Sequence, residues 1–492
     1  MREPWVNVRL LIQTPAVWGP AAGAGALLLW AWRQDRRDEP PVRWAQVTEA
    51  LAGAVCLALL AWLFRGGQFP WTEGDWREEW IFFTAWAQAL HAGNLPYYLG
   101  TAMQGTERYL ANLQTPMMPY VVALAWMSVN AFVLLHMALV YGAGFLGVVA
   151  LRRELSLGFF PWTLFLLLFT LNGHIVSHLS VGHLPWIAYF LVPWVLVSAV
   201  RISRGDRSWR TVTMCAAAFA GMILVGGWHV FVWSLLFMTF ACLLPLARVR
   251  LLIWIGVITA LLAAVRLVPA VATFGTGANT FISGYPSLVS LLASLAGEPV
   301  RDARLDPWEL EAYVGYAGLF LLCLGAIPFR HAGRRYLNGL LVPTCVLVVL
   351  SLGNVYGDTL FRLPGLVSER VTTRLIILPI LWLGLAGVVR LDSWWRDARM
   401  SWPVAVPVLL GAWFFALQLI LRAQVWRPHV GTTEALPLEV LKAGPVEPLY
   451  LWAFWCGAAV SMVSAIVVAW LVATRASTYS PSGTGPTRAS RY

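Results

Sequence analysis

The residues with the clearest chemical potential form an acidic, aromatic segment, residues 71–80, which directly follows an apolar run. The whole chain is 59% apolar and only 12% charged, so acidic side chains are scarce. Their concentration next to a membrane span predicts a chemical role, because charges near a bilayer are costly. The carboxylates of this segment lie within seven residues of one another: Glu73, Asp75, Glu78 and Glu79.

Asp75 fits two roles that the sequence leaves open. Apolar residues recur at helical spacing from Trp76 to Leu90 and predict an amphipathic helix on the membrane surface, which ends at the turn 93–96. With Glu78 three residues further on, Asp75 could form a capping box at the start of that helix. Alternatively, Asp75 is a general base that takes a proton from a substrate hydroxyl at the bilayer surface.

A second acidic region lies in the connection 273–312. Residues 306–309 read Asp-Pro-Trp-Glu, which is the pattern of a helix start, so we expect Asp306 to cap a helix. Glu311 differs because it opens an apolar run, where an ionised carboxylate requires a partner. That partner is either a cation of the protein or a hydroxyl of a substrate.

Three arginines could bind an anion. Arg370 and Arg374 are four residues apart at the start of an apolar run, so on an α-helix they share a face. Two planar guanidinium groups directed at one point form a phosphate site. Arg370 could instead pair with the neighbouring Glu369 or extend to the interface. Arg266 lies inside an apolar run and needs either a partner or a polar cavity.

Histidines are concentrated in one short connection. His174, His178 and His183 have a spacing that could bind a metal ion, but no carboxylate accompanies them, so we expect hydrogen bonds to a polar ligand or to loop carbonyls. His229 follows Gly-Gly-Trp at another turn and is expected to face the same cavity. Most of the 28 tryptophans are predicted to lie at the membrane interfaces, whereas Trp80 could stack on a sugar ring.

The composition predicts a polytopic membrane protein, with a mean hydropathy of +0.68. The net charge is +11, but the basic residues are almost all arginines in short clusters between apolar runs. This pattern is typical of cytoplasmic loops that face anionic lipid, so we expect a bilayer and no nucleic acid as partner. The six cysteines lie inside apolar runs and are predicted to be small buried hydrophobes.

The apolar runs predict an all-α transmembrane helix bundle of about 12 to 13 spans. Arginine clusters occupy alternate connections, which should be cytoplasmic: 33–43, 152–153, 201–210, 248–250, 330–335 and 390–399. The other connections should then face outward from the plasma (inner) membrane: 66–116, 172–185, 273–312, 354–371 and 422–448.

Four regions follow from this division. Residues 1–46 contain an extra hydrophobic segment and an Arg-rich loop, and residues 47–390 form a transmembrane core. Residues 391–474 add C-terminal transmembrane helices. The tail 475–492 is rich in Ser, Thr, Gly and Pro, and we expect it to be disordered and cytoplasmic.

Several motifs, taken in order, resemble the GT-C superfamily of integral-membrane glycosyltransferases. They are the acidic motif 74–79, the lead 110–119 into the next apolar run, the segment 181–185, the Gly-Gly-Trp-His turn 226–229 and the segment 363–374. The resemblance rests on their order and on their common predicted side of the membrane. It covers roughly residues 47–390.

The resemblance implies that a sugar is transferred from a polyprenyl-phosphate donor to a hydroxyl of a glycan, lipid or protein acceptor at the outer face. Asp75 would deprotonate the acceptor, while the donor phosphate would be bound by Arg370 and Arg374, together with Arg266. The residues that would bind sugar or acceptor are Glu78, Glu79, Trp80, His183, His229 and Glu311. The resemblance leaves open whether a divalent cation, Mg²⁺ or Mn²⁺, takes part.

Two other functions stay open at the level of the sequence. A transporter or flippase for lipid-linked glycan would use Asp75 and the arginines to line a path. A non-catalytic membrane protein would have the same fold without the activity. The sequence shows no internal repeat, which disfavours transporters built from duplicated halves.

Overall fold

The structure is a computed structural model that describes residues 15–36, 42–100, 108–243, 248–273, 282–298, 300, 304–361, 363, 366, 369–398, 401–428, 440–442 and 444–477. These residues form helices joined by turns, and β-structure among them is limited to isolated bridges. The predicted all-α fold is therefore confirmed for the described residues. Most of the tail 475–492 lies outside them.

We number the α-helices of the described residues in chain order. Helices α1 to α9 are Pro15–Asp35, Val42–Leu63, Trp76–His91, Val129–Glu154, Phe159–Leu171, Gly173–Ser180, Val192–Ser203, Trp209–Leu224 and Trp228–Leu243. Helices α10 to α18 are Val249–Leu262, Ala264–Thr273, Leu288–Ala296, Gly315–Ala326, Leu341–Leu350, Gly353–Thr359, Ile377–Ala398, Trp402–Trp426 and Pro448–Ser477. Short 3-10 helices lie at Tyr109–Ala111, Pro119–Ala125, Leu184–Leu191, Ala332–Leu340 and Thr372–Ile376.

The long apolar helices make this a multi-pass membrane protein. By length and composition, seven candidate spans occur among the described residues, or eight if the bent pair α10 and α11 counts as one span. Helices α8, α9 and α13 are also apolar but shorter. The count is lower than the predicted 12 to 13 because several apolar runs are divided into short or bent helices. The bend between α10 and α11, for example, is 84°.

The connection 172–185 differs from the outward loop that the sequence predicts. Most of it forms α6, and every residue of this helix is buried. The side chain of Asn172 caps the helix by accepting a hydrogen bond from the amide of Ile175 at 3.1 Å. As a result, His174 and His178 lie inside the protein rather than on a loop.

The arginine clusters meet at one end of the bundle, here called the Arg-rich end. It comprises the connections around residues 152–158, 201–210, 330–336 and 390–396. Arg204 joins two of them by donating to the hydroxyl of Tyr336 at 2.6 Å. The ion pairs at this end are Arg152–Glu49, Arg153–Glu49, Arg201–Glu154, Arg204–Glu154, Arg334–Asp392 and Arg396–Asp392.

Two buried carboxylates fix the start of α5 at the Arg-rich end. Asp35 accepts hydrogen bonds from the amides of Phe159 and Phe160 at 2.6 and 2.9 Å. Asp392 accepts one from the amide of Gly158 at 2.8 Å. Negative charge is favourable at the positive end of a helix dipole. These bonds tie α1 and α16 to α5.

The first and last helices pack against the same bundle as the central ones. Helix α17 lies against α1 and α5, and α18 lies along α11. In the centre, α13 packs along α16, and α4 packs along α7. The side of the bundle away from the Arg-rich end carries α3 and α6 with the connections that follow them.

Candidate functional site

Asp75 is held in place by the turn that follows α6. Gly74 and Gly182 have φ angles of +52° and +101°, a conformation that glycine adopts without strain. The amide of Asp75 donates to the carbonyl of Val181 at 3.3 Å. A Cβ on Gly182 would lie 2.2 Å from the backbone nitrogen of Trp76, so the two chain segments touch. The acidic motif 74–79 and the segment 181–185 are therefore in direct contact.

The side chain of Asp75 does not cap α3, so the capping role that the sequence allowed is not realised. The residue precedes the helix, but no side-chain capping bond is formed. Instead, its Oδ2 lies 2.5 Å from Nε2 of His183. The Asp75 side chain is 47% exposed, whereas that of His183 is 13% exposed. Among the described residues, no hydrogen bond engages Oδ1 of this partly exposed side chain.

Both ring nitrogens of His183 are engaged by the protein. Its Nδ1 lies 2.7 Å from Nδ1 of His178. With an ionised Asp75 as acceptor, Nε2 of His183 must carry a proton. In the neutral tautomer Nδ1 then accepts, and Nδ1 of His178 donates. His183 consequently has no nitrogen left to take a proton from a substrate.

His178 connects this pair to an aromatic stack. Its ring lies face to face with that of Trp186 at a centroid distance of 3.7 Å. Trp186 also contacts Trp233, at 5.1 Å between ring centroids. The guanidinium of Arg374 lies over the ring of Trp186 at 5.6 Å. The stack thus connects the Asp75–His183 pair to Trp233 and Arg374, which are remote in sequence.

Glu309 and Arg374 form a bidentate ion pair beside the histidines. Nε of Arg374 donates to Oε2 of Glu309 at 2.8 Å, and Nη2 donates to Oε1. Burial would raise the pKa of Glu309, but the Arg374 guanidinium outweighs it and holds that pKa below its usual value. Oε2 of Glu309 is 3.8 Å from Nε2 of His178. Glu309 is therefore an ionised member of the site.

Residues 306–309 differ from the sequence-based expectation. They form a turn and not the start of an α-helix, so Asp306 does not cap one. The amide of Glu309 donates to the carbonyl of Asp306 at 3.0 Å, which closes that turn. The turn directs Glu309 to Arg374. Because residues 306–309 match the pattern of a helix start, the sequence alone did not indicate that Glu309 belongs to the site.

Arg370 and Arg374 occupy different settings and do not share a helix face. Arg374 belongs to the 3-10 helix Thr372–Ile376, whereas Arg370 precedes it, where the chain pairs with residue 283. Arg370 is exposed, and no side-chain hydrogen bond or ion pair engages it among the residues described. Asp75, Glu309 and Glu369 all lie close enough to Arg374 to attract it electrostatically.

Glu369 pairs with His229 and not with Arg370. Nδ1 of His229 lies 2.8 Å from Oε1 of Glu369, and the Trp233 indole donates to Oε2 at 2.7 Å. The other ring nitrogen of His229 lies 3.2 Å from the side-chain nitrogen of Gln114. This network joins three of the motifs that carried the resemblance: 110–119, 226–229 and 363–374. It also lies at the far end of the Trp186–Trp233 stack.

Arg266 has a structural role that differs from the expected phosphate contact. The residue is fully buried. Its guanidinium donates to the carbonyls of Leu110 at 3.0 Å and Thr115 at 2.9 Å, and also to that of Asn112. These bonds hold the loop that carries Gln114. A phosphate could reach Arg266 only if this loop were released.

The partner of Glu311 is a cation of the protein, the guanidinium of Arg422. Nε and Nη2 of Arg422 donate to its two oxygens at 3.0 and 2.5 Å. Its own carbonyl lies 2.7 Å from Nδ1 of His174. A Cβ on Gly173 would lie 2.5 Å from Oε1 of Glu311, so the pair is tightly enclosed. Glu311 therefore supports the start of α6 at Gly173 and His174.

The remaining members of the acidic segment differ in burial. Glu79 is 4% exposed, and burial raises its pKa well above the usual value, with further contributions from Glu78 and Asp75. Glu78 is half-buried. Trp80 is also half-buried, with its ring 5.2 Å from that of Trp71. Sugar binding by Glu78, Glu79 and Trp80 stays a prediction.

The residues around Glu309 fit a hydrogen-bond network better than a site for Mg²⁺ or Mn²⁺. His178, His183 and Glu309 can each place a ligand atom within 4.8 Å of the others. However, Mg²⁺ and Mn²⁺ prefer oxygen ligands, and two of these three groups are imidazoles. Both oxygens of Glu309 are bound by Arg374, whose charge repels a cation.

Comparison with solved structures finds similarity to the cryo-EM structure of the arabinofuranosyltransferase AftD from Mycobacteria, with a TM-score of 0.47 and 20% sequence identity. The match covers 79% of this chain and 27% of that chain, so this chain spans about a quarter of the length of that protein. No protein-family model matches the sequence, and no curated protein matches it significantly.

Proposed function

We propose that the protein is a membrane glycosyltransferase that transfers a sugar from a polyprenyl-phosphate donor to an acceptor hydroxyl at the outer face of the membrane. The observation that carries this proposal is the half-exposed Asp75 carboxylate, bound to His183 beside the Arg374–Glu309 pair. A base and an anion-binding cation next to each other are what such a transfer requires.

Asp75 is the proposed general base. In many Asp–His pairs the imidazole takes the proton, but here both nitrogens of His183 are already bound. The free oxygen of Asp75 is the group that can accept a proton from an acceptor hydroxyl. His183 then acts as a positioning residue, because its bond to Oδ2 fixes the orientation of the carboxylate.

Arg374 and Arg370 are the proposed phosphate-binding residues. A guanidinium has five N–H donors, and the ion pair with Glu309 uses those on one edge. The other edge of Arg374 is available for a phosphate oxygen. Arg370 is exposed and can supply a second guanidinium. Glu309 holds Arg374 in a fixed orientation, which favours two-pronged phosphate binding.

The proposed reaction is a direct displacement. The acceptor oxygen forms a bond to the anomeric carbon while the bond between that carbon and the phosphate oxygen breaks. Asp75 takes the proton of the acceptor hydroxyl, and polyprenyl phosphate leaves with the bonding electrons. Arg374 and Arg370 stabilise the charge that develops on the phosphate. One displacement inverts the configuration of the anomeric carbon.

The test uses purified protein with a labelled polyprenyl-phosphate sugar and a hydroxyl acceptor. We expect Asp75→Asn to lower the rate of transfer by roughly 10²- to 10⁴-fold, the usual contribution of a general base, with donor binding unchanged. Glu73→Gln is the matched control, because Glu73 is an exposed acid of the same segment. Unchanged transfer by Asp75→Asn would exclude Asp75 as the base. Movement of the donor across a vesicle membrane without any transfer would favour a flippase.

A further inference from the structure

A cavity of about 1180 Å³ lies at the Arg-rich end, apart from the proposed active site. It opens between α13, α16 and α17, next to the connection 328–334. Apolar side chains form its inner wall, among them Leu164, Phe320, Leu324, Val408 and Phe415. Ligand pockets in proteins usually measure about 300 to 1,000 Å³. The cavity therefore has room for more than a small ion.

The mouth of the cavity carries more positive than negative charge. Four arginines line it: Arg330, Arg334, Arg390 and Arg396. Asp392 pairs with Arg334 at 3.6 Å and with Arg396 at 2.9 Å, and it is fully buried. In the described part of the chain, no hydrogen bond or ion pair engages the side chain of Arg330, which is exposed. The buried Asp392 carboxylate thus pairs with two of the four guanidinium groups, those of Arg334 and Arg396.

Arg390 is also incompletely satisfied. Its Nη2 donates to the carbonyl of Ile327. Its guanidinium lies over the ring of Phe329 at 4.4 Å. Its Nε is buried and has no hydrogen-bond partner among the described residues. A buried donor without a partner costs free energy, so an acceptor at this position would stabilise the protein.

The walls of the cavity border the part of the surface that faces lipid. Phe320 of α13 is 64% exposed and Leu410 of α17 is 61% exposed, although both are large apolar residues of membrane helices. A ligand with an acyl chain can therefore enter from the bilayer. Its phosphate would meet the arginines, because basic pockets between membrane helices bind anionic head groups.

We propose that this cavity binds an anionic phospholipid of the leaflet at the Arg-rich end. The phosphate lies among Arg330, Arg390 and their neighbours, and an acyl chain lies along the apolar wall. This lipid site is independent of the proposed transferase site, because α16 separates Arg374 near its start from Arg390 and Arg396 near its end. The bound lipid stabilises the contact of α13, α16 and α17.

The test measures lipid binding by native mass spectrometry and the melting temperature of the full-length protein in neutral detergent. Phosphatidylglycerol is compared with phosphatidylcholine of identical acyl chains. We expect phosphatidylglycerol to bind and to raise the melting temperature more than phosphatidylcholine does. Arg330→Gln/Arg390→Gln should weaken its binding by about 30-fold, since each arginine near anionic lipid contributes roughly a fivefold effect. Arg207→Gln/Arg210→Gln, which removes two exposed arginines elsewhere at this end, is the matched control.

A second variant separates lipid binding from folding. Gly411 lines the cavity within α17, and a Cβ on it would meet no atom within 4 Å. Gly411→Leu should therefore fold, place an apolar side chain at the cavity wall and reduce phosphatidylglycerol binding without lowering the melting temperature of the lipid-free protein. The proposal is overturned if the two lipids bind equally or if the two double variants behave alike. It is also overturned if inorganic phosphate or polyprenyl phosphate binds this cavity and phosphatidylglycerol does not.

Discussion

Asp75 and Glu79 carry the same functional group in opposite surroundings. Asp75 is half-exposed, and its side chain contacts the imidazole of His183. Glu79 is buried one helical turn later, and burial raises its pKa well above the usual value. The segment therefore keeps one carboxylate at the surface and a second one, whose pKa is raised, inside the protein.

Glu79→Gln should change how stability depends on pH. The folded protein holds the Glu79 proton more tightly than the unfolded chain does, because the pKa is raised above the value of 4.5. Between these two pKa values the folded state binds more protons, so the free energy of unfolding falls as pH rises above 4.5. Glu79→Gln removes this loss, and its melting temperature should decline less from pH 5 to neutral pH.

Glu73→Gln is the control for this measurement, because Glu73 is exposed and its removal should leave the pH profile unchanged. Thermal unfolding in detergent at several pH values provides the data. If Glu79→Gln follows the wild-type profile throughout, Glu79 is ionised in the folded protein and the segment has no protonated acid.

The Glu309–Arg374 pair should show strong coupling in a double-mutant cycle. Removal of one partner leaves a buried charge alone, which costs about 3 to 5 kcal/mol of stability. Glu309→Gln with Arg374→Gln together should cost less than the sum of the single changes, with a coupling energy of roughly 1 to 3 kcal/mol. Unfolding titrations of the four proteins measure it. Arg374→Gln alone should also weaken donor binding.

The exposed pair Arg108–Glu447 offers a comparison for this cycle. Nη2 of Arg108 lies 2.8 Å from Oε2 of Glu447, but the side chain of Arg108 is 36% exposed and that of Glu447 is 53% exposed. Exposed ion pairs contribute about 0 to 1 kcal/mol, so this cycle should show little coupling. Equal coupling in the two cycles would mean that burial does not strengthen the Glu309–Arg374 pair.

Several residues of the candidate site could be found from the sequence, and others could not. Asp75, Arg374 and His183 stood out because charged or histidine side chains beside apolar runs need a reason. Glu309 was hidden by a pattern that also describes a helix cap, and Glu369 was hidden by its neighbour Arg370. Their partners, Arg374 and His229, lie 65 and 140 residues away, a distance that local spacing does not reveal.

At the scale of elements, the site depends on the contact between the turn after α6 and the start of α3. Apolar periodicity predicted the position of α3 correctly, but buried residues occur all around this helix and not on one face alone. The same reasoning failed for α6. Its polar residues suggested a loop, yet Asn172 caps it and neighbouring segments bind its histidines, so tertiary contacts decided the outcome.

Gly182→Ala should disrupt this contact and lower transfer. Gly182 has a φ of +101°, and an added Cβ would lie 2.2 Å from the nitrogen of Trp76. The backbone must then separate, which moves Asp75 away from His183. We expect a loss of transfer of about 10²-fold or more, because small displacements of reacting groups have effects of this size. The rate of transfer and the melting temperature are measured together.

Gly93→Ala is the matched control for Gly182→Ala. Gly93 also has a positive φ, +68°, but an added Cβ would meet no atom within 4 Å. Both variants carry the conformational cost of alanine in this region, roughly 1 to 2 kcal/mol. Gly93→Ala should therefore lose similar intrinsic stability and keep its activity. Equal losses of transfer in both variants would show that the contact between Gly182 and Trp76 does not position Asp75.

At the scale of the whole molecule, the two ends of the bundle differ in chemistry. The Arg-rich end gathers arginine clusters that are spread through the sequence, whereas the other end gathers Asp75, Glu309 and Glu369. The sequence predicted the alternation of these clusters. It did not predict the number of membrane spans, because hydropathy does not show where an apolar run is broken by a bend or a 3-10 turn.

This asymmetry predicts the orientation of the protein, since loops rich in arginine stay in the cytoplasm. Glu73, next to Asp75, should face outward, and Arg207 at the Arg-rich end should face inward. Both are exposed. In a background where the exposed cysteines Cys323, Cys345 and Cys456 are replaced by serine, Glu73→Cys and Arg207→Cys can be compared by labelling with a membrane-impermeant maleimide.

In intact cells the reagent should label Glu73→Cys and leave Arg207→Cys unlabelled, and after permeabilisation it should label both. The second condition shows that a lack of labelling reflects the membrane and not burial. The opposite pattern would put Asp75 on the cytoplasmic side, where the proposed transfer at the outer face could not occur. It would also place the arginine cavity in the outer leaflet, so the lipid site would have to draw its ligand from there. One measurement therefore constrains both proposed sites, because they lie at opposite ends of the same bundle.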